Sequence, residues 1–155
     1  MKNQYFLILI LFLWVVSCET PNPYQYDVAD FIELKKDPCF GFCPVYTIKI
    51  NGRGEVVYNG LKNVEKEGTW YRILPPERVN GLFSAFEEAG FWDFNDEYTA
   101  QVTDLPTTWI TLVLGEKTKT IKDYYGAPEK LKTLEAMIGK IVSEEEGWKR
   151  ELSSD

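Results

Sequence analysis

Histidine is absent from the 155 residues. Its absence removes the commonest general base, and with it every Ser-His and Cys-His catalytic arrangement. Cysteine is scarce: Cys18, Cys39 and Cys43 are the three present, too few for a four-thiolate zinc site and without histidine to complete a mixed one. The longest apolar run, Tyr5 to Val16, has twelve residues, well short of the roughly 20 that a spanning helix needs. A basic excess is missing as well. The formal net charge is −7, so phosphate backbones and anionic headgroups are repelled, and nucleic acid is not an expected partner. No phosphate-cradling loop occurs either: GRGE at 52–55 lacks the lysine and the following helix such a loop requires.

What is there begins with MKNQYFLILILFLWVVSCETPNP. One lysine and a short apolar stretch read as a secretory leader. The small residue Ser17 before Cys18 resembles the lipobox of bacterial lipoproteins, in which the cysteine thiol is acylated, palmitate-type chains included, and cleavage makes that cysteine the new N-terminus. The expectation is therefore a leader over 1–17, a lipidated Cys18 and a polar tether over 18–28. A plain secretory signal or an uncleaved anchor is the alternative. More than one acyl chain, at about 0.8 kcal/mol per buried CH₂, holds a protein on a membrane where a single chain is marginal. Glu19 is not the aspartate that resembles an inner-membrane retention signal, which leans the expected location to the outer membrane of a cell envelope. Without Lys2 the chain carries 16 basic and 24 acidic residues, net −8.

Residues 29–150 read as one domain, with 151–155 a disordered tail. Alternation predicts strands over Asp30–Lys35, Pro44–Ile50, Glu55–Tyr58 and Glu67–Ile73. Asn51-Gly52 is expected to supply the positive φ of a tight turn. TTWITLVLGEKTKTIKDYY reads as a second hairpin turning at Gly115-Glu116, with Ile110, Leu112 and Leu114 inward. Two helices are marked by stripes: Val79, Leu82, Phe83 and Phe86 after Pro76 and before Gly90, and Leu131, Leu134, Ile138 and Ile141 after Pro128. Glu144 to Glu146 read as a solvated helix end. The expected class is α+β: an antiparallel sheet built from hairpins, with two amphipathic helices packed on one face.

Cys39 and Cys43 bracket Phe40-Gly41-Phe42. An extended chain would hold their Cα atoms about 13 Å apart, whereas a disulfide needs roughly 4.4–6.8 Å. Gly41, free to take positive φ, is expected to make the turn. Pro44 then biases Cys43 toward an extended conformation that leads into a strand. An oxidising compartment favours the bond. A redox site would want two intervening residues and a following helix N-terminus, and a metal site more ligands. The pair reads as a staple.

With these residues in view a family likeness is visible. PCFGFCPVYTIKINGRGEVVYNG, EEAGFWDFNDEYTAQVTDLPTTWITL and YYGAPEKLKTLEAMI, together spanning about residues 30–142, closely resemble the bacterial domain of unknown function 6438. Members look like small secreted or lipoprotein domains, common in Bacteroidota, with no established activity. The likeness supports fold and compartment and implies no chemistry, cofactor or ligand. Gly139 stands where it leads one to expect aspartate.

Three places hold residues of catalytic or ligating type. Asp93, Asn95 and Glu97 alternate in DFNDEY, but no glycine or closing glutamate follows at calcium-loop spacing, so the segment reads as a turn. Asp104 and Asp123 flank the second hairpin and are the conceivable carboxylate pair for hydrolysis. Each also suits a turn or strand end with no chemistry. Phe40, Phe42, Tyr98, Trp109, Tyr124 and Tyr125 gather near the same loops, either as packing or as a recognition patch. The expected function is non-catalytic binding or scaffolding in the cell envelope, with an unidentified protein or ligand as partner and no cofactor. The alternatives are a carboxylate-based enzyme and a thiol-redox protein using Cys39 and Cys43.

Overall fold

A computed structural model describes residues 21–151; the expected leader, Cys18 and the last four residues lie outside the described residues. Strands β1 (Phe31–Lys36), β2 (Val45–Asn51), β3 (Glu55–Lys62) and β4 (Gly68–Ile73) are followed by helix α1 (Pro76–Glu88) and a short 3-10 turn over Phe91–Asp93. Then come β5 (Glu97–Tyr98), β6 (Thr108–Leu114), β7 (Lys117–Asp123), α2 (Glu129–Ser143) and β8 (Lys149–Arg150). All eight strands join one sheet in the order β5-β7-β6-β1-β2-β3-β4-β8. The first strand in the chain is thus central, held between β2 and β6 in antiparallel register. Every pairing is antiparallel except β5 with β7, where DFNDEY, expected to be a turn, adds two residues of parallel strand.

The stripes read from the sequence are the ones that fold. Val79, Leu82, Phe83 and Phe86 of α1 and Leu131, Leu134, Ile138 and Ile141 of α2 are buried in one cluster with Ile32, Leu34, Ile48, Ile50, Ile110, Leu112 and Ile121. Each such side chain contributes about 1.5–3 kcal/mol through its removal from water. Truncating Phe83 at the centre of α1 would therefore cost about 3–5 kcal/mol. Pro76 sits in the first turn of α1, where its missing N–H satisfies nothing anyway. Gly90, left-handed at φ 72°, ends that helix as expected.

Four local expectations change. The turn between β2 and β3 takes its positive φ at Gly54 and not at Gly52, while the Asn51 side chain accepts from the N–H groups of Arg53 and Glu55. Gly52 is required for another reason: a Cβ there would lie 2.2 Å from the Asp27 carbonyl oxygen. Secondly, Gly41 is not among the residues with positive φ; the five-residue ring closes without it. Thirdly, the later half of the 18–28 segment is packed. Tyr26 stacks on Phe83 at 4.4 Å, and the Tyr24 hydroxyl donates to the Leu74 carbonyl at 3.0 Å. Finally, Glu144 is no solvated helix end. It accepts two hydrogen bonds from Arg78, at 2.7 and 2.8 Å, and pairs with Arg72 at 2.8 Å, tying the end of α2 to α1 and β4. Glu145 and Glu146 are exposed.

Candidate functional site

The sheet has two ends. At one lie the 21–28 segment, the β2–β3 turn and the β6–β7 turn, gathered by Asp30, whose carboxylate accepts from the N–H groups of Asp27 and Gly115. At the other, about 17 Å away along the six residues of β1, lie the loops 37–44, 63–67, 99–107 and 124–128. Cys39 and Cys43 are disulfide-bonded in the first of these, with Cα atoms 5.7 Å apart. The bond leaves Phe40 93% and Phe42 95% exposed. Two nearly bare phenyl rings on a small covalent ring are unusual for a domain in which Phe83, Phe86 and Phe91 are buried and Phe94 packs against them.

The root of this loop is pinned independently of the disulfide. Trp109 Nε1 donates to Asp37 Oδ2 at 2.6 Å, Lys35 pairs with the same carboxylate at 2.8 Å, and the Asp37 N–H donates to the Thr107 carbonyl at 2.9 Å. Burial opposes the Asp37 charge, yet the hydrogen bonds from Lys35 and Trp109 and the Lys35 charge prevail and hold its carboxyl below its ordinary range. Asn63 Nδ2 donates to the Cys43 carbonyl on the other side of the loop, at 3.1 Å.

The aromatic group, read as either packing or a recognition patch, is divided by the structure. Phe40, Phe42 and the half-exposed Tyr125 face solvent. Trp109 is half-buried and holds Asp37. Tyr98 is half-buried against the core and accepts from the Asn95 N–H at 3.1 Å. Tyr124 donates to the Val102 carbonyl at 2.7 Å, fastening the 99–107 loop. Beside the loop root a cleft of about 290 Å³ opens between Pro44, Tyr46, Tyr58, Val64, Lys66 and Gly139. Burial pushes both phenols up to about 12, so they remain neutral donors across the physiological range. A Cβ at Gly139 would meet nothing within 4 Å; the aspartate expected there by family likeness would project into open space at this cleft.

The expected carboxylate pair is regrouped. Asp104 is exposed, in a loop where it adopts a left-handed φ of 72°. Asp123 is buried, with 1% of its surface accessible, so it is not a surface ligand. Its companion is Glu135 on α2, joined to it through Lys132. Lys132, also on α2, binds Asp123 Oδ2 and lies 3.5 Å from Glu135 Oε2. Burial raises the Glu135 carboxyl to about 7, the Asp123 charge adding to the effect and the Lys132 charge opposing it. For Lys132 burial works against the charge, but its bond to Asp123 and the two carboxylates prevail and raise it. The cleft beside Tyr46 and Tyr58 is lined by neither Asp123 nor Glu135. Glu135 was missed because it reads as a polar helix residue. The signal was its place four residues after Leu131 and three before Ile138, inside the apolar stripe.

Among the described residues no helix is long and apolar enough to cross a membrane. A family model described as "Domain of unknown function (DUF6438)" matches residues 30–142. No curated protein matches the chain.

Proposed function

The chain belongs to the DUF6438 family, which is defined without a reaction, and we propose that it is a non-catalytic binding module whose contact element is the stapled loop 39–43. The observation that carries this reading is the exposure of Phe40 and Phe42, 93% and 95%, on a loop already rigid before any partner arrives. A preorganised aromatic pair loses little entropy on docking, and aromatic side chains are the usual anchors of protein interfaces. In the same reading Cys18 carries the lipid, both helices pack on one face of the sheet, and the module sits in a bacterial cell envelope. The packed segment from Tyr24 lies at the end of the sheet opposite the loop. The partner is then a protein reached across the envelope space, bearing an apolar pocket for the two rings. The burial of Asp123 and the pairing of both Asp123 and Glu135 with Lys132 weigh against carboxylate hydrolysis. A strand following Cys43, in place of a helix, weighs against thiol-redox work.

In-cell cross-linking of the full-length protein, followed by mass spectrometry, tests this. Capture of a defined protein that is lost in Phe40→Ala/Phe42→Ala, with unchanged thermal unfolding, is the expected result. Capture that persists in that variant would sink the reading. Incorporation of a tagged fatty acid into the wild type but not into Cys18→Ser tests the anchor separately.

A further inference from the structure

Among the described residues, Arg72 Nε, Asp123 Oδ1 and Glu135 Oε1 are buried without a hydrogen-bond partner, and the last two belong to neighbouring carboxylates. Lys132 Nζ serves one oxygen of each, Asp123 Oδ2 and Glu135 Oε2. The oxygen left over on each, Asp123 Oδ1 and Glu135 Oε1, is buried without any hydrogen-bond partner. The Asp123 side chain is wholly inaccessible and that of Glu135 10% accessible. Two orphaned acceptors on neighbouring carboxylates cannot satisfy each other, because neither has a proton to give. Leaving both unpaired out of water is unfavourable. Charge points the same way: among the described residues Lys132 is the one ammonium in direct contact with the two carboxylates, and it is half-exposed.

We propose that Asp123 and Glu135 bind one proton between them, held on one of the two orphaned oxygens, Asp123 Oδ1 or Glu135 Oε1, and donated to the other. One carboxyl donates, the other accepts, and with Lys132 the group is electrically neutral. No bond other than O–H forms, and the proton comes from solvent. The surroundings fit a site that retains it. From β1, Lys36 faces the pair and lies over the Tyr46 ring at 6.0 Å to its centroid. From β2, Tyr46 presents a phenol that stays neutral. From β6, buried Thr108, the register partner of Asp123, adds no charge. From α2 come Lys132 and Glu135 themselves. The site joins the last residue of β7 to α2, beside Lys36, the last residue of β1, and Tyr46, the second residue of β2, on the two strands that flank the stapled loop. Proton loss on raising the pH leaves the two carboxylates in mutual repulsion and loosens that joint. This site is distinct from the proposed contact element and does not depend on it.

The test is a carbon-detected NMR titration of the full 155-residue chain in detergent micelles, with aspartate and glutamate carboxyl carbons labelled. The expected result is a common inflection in the Asp123 Cγ and Glu135 Cδ shifts, well above pH 5. In Asp123→Asn the Glu135 inflection should move down by about one pH unit or more, because the like charge and the shared proton are both gone. In Lys132→Gln, at a half-exposed position, the common inflection should move up. Separate inflections at the ordinary values of the two acids would overturn the proposal. So would a Glu135 inflection unmoved by Asp123→Asn, or a common inflection that stays or falls in Lys132→Gln.

Discussion

Replacing both cysteines of the stapled loop by serine separates what the disulfide does for the fold from what it does for the loop. The ring runs from Cys39 to Cys43, five residues. Chain entropy for a ring of that size stabilises the native state by about 2 kcal/mol at 25 °C. A larger loss is not expected, because the loop root is fastened elsewhere: by Trp109 and Thr107 on Asp37 and by Asn63 on the Cys43 carbonyl. The core of β1, β2, β6 and both helices does not include the cysteines. Urea unfolding followed by tryptophan fluorescence should give an unfolding free energy lowered by about 2 kcal/mol at unchanged slope, with a melting temperature lower by roughly 6–10 °C. Far-ultraviolet circular dichroism should keep its native shape. Partner capture should fall further than stability does, because Phe40 and Phe42 would no longer be preorganised. A loss above about 4 kcal/mol, or an unfolded variant, would show that the fold hangs on the bond. No loss at all would show that the ring closure reasoning is wrong.

Other positions give sharper energetic signatures. Gly60→Ala places a Cβ 1.9 Å from the Lys66 carbonyl oxygen and 2.8 Å from Val64 Cγ2; the connection between β3 and β4 must move, at a cost of about 2–3 kcal/mol in the same urea assay. Glu144→Gln leaves Arg72 and Arg78 without their shared anion and should cost about 2 kcal/mol at pH 7. Hydrogen bonding from Arg78, against burial, holds the Glu144 carboxyl below its ordinary 4.5. Its stability contribution is therefore present above pH 4.5 and lost as the pH falls through the depressed native value; unfolding midpoints between pH 3 and 6 should show that loss in the wild type and not in the variant. Glu135 has the opposite sign. Its carboxyl is raised from 4.5 to about 7, so its contribution is complete below pH 4.5 and disappears as the pH rises through about 7. Glu135→Gln should flatten the stability profile between pH 5 and 8 and be the more stable protein at pH 8, by on the order of 2 kcal/mol; a variant less stable than wild type at pH 8 would contradict the sign.

Much of this was legible in the chain itself. Leu131, Leu134, Ile138 and Ile141 repeat at helical spacing, and Ile48 and Ile50 alternate as a half-buried strand must, so elements and core followed from periodicity alone. The Cys39–Cys43 bond followed from spacing. What periodicity cannot carry is which distant segments become neighbours. β8 and β5 are two-residue strands with no pattern of their own, formed because Trp148 packs against Tyr58 and Arg72 and because the Tyr98 carbonyl accepts from the N–H groups of Tyr124 and Tyr125. Asp123 could be suspected from its type but not from its partner, since Glu135 arrives from another element twelve residues later. The same holds for Trp109: alternation placed it away from Ile110, yet only the sheet order brings Asp37 to its indole. The exposure of Phe40 and Phe42 is also a tertiary fact, because a short apolar stretch between cysteines reads equally well as packing.

The most direct measurement is site-specific photocross-linking of the full-length protein in its own cells. A photoreactive phenylalanine analogue replaces Phe42 in one strain and Thr118, on β7 far from the loop, in another. The account predicts one discrete protein adduct from position 42 and none from position 118. An adduct from position 118 with none from position 42, or no adduct at either, would contradict the assignment of the stapled loop as the contact element.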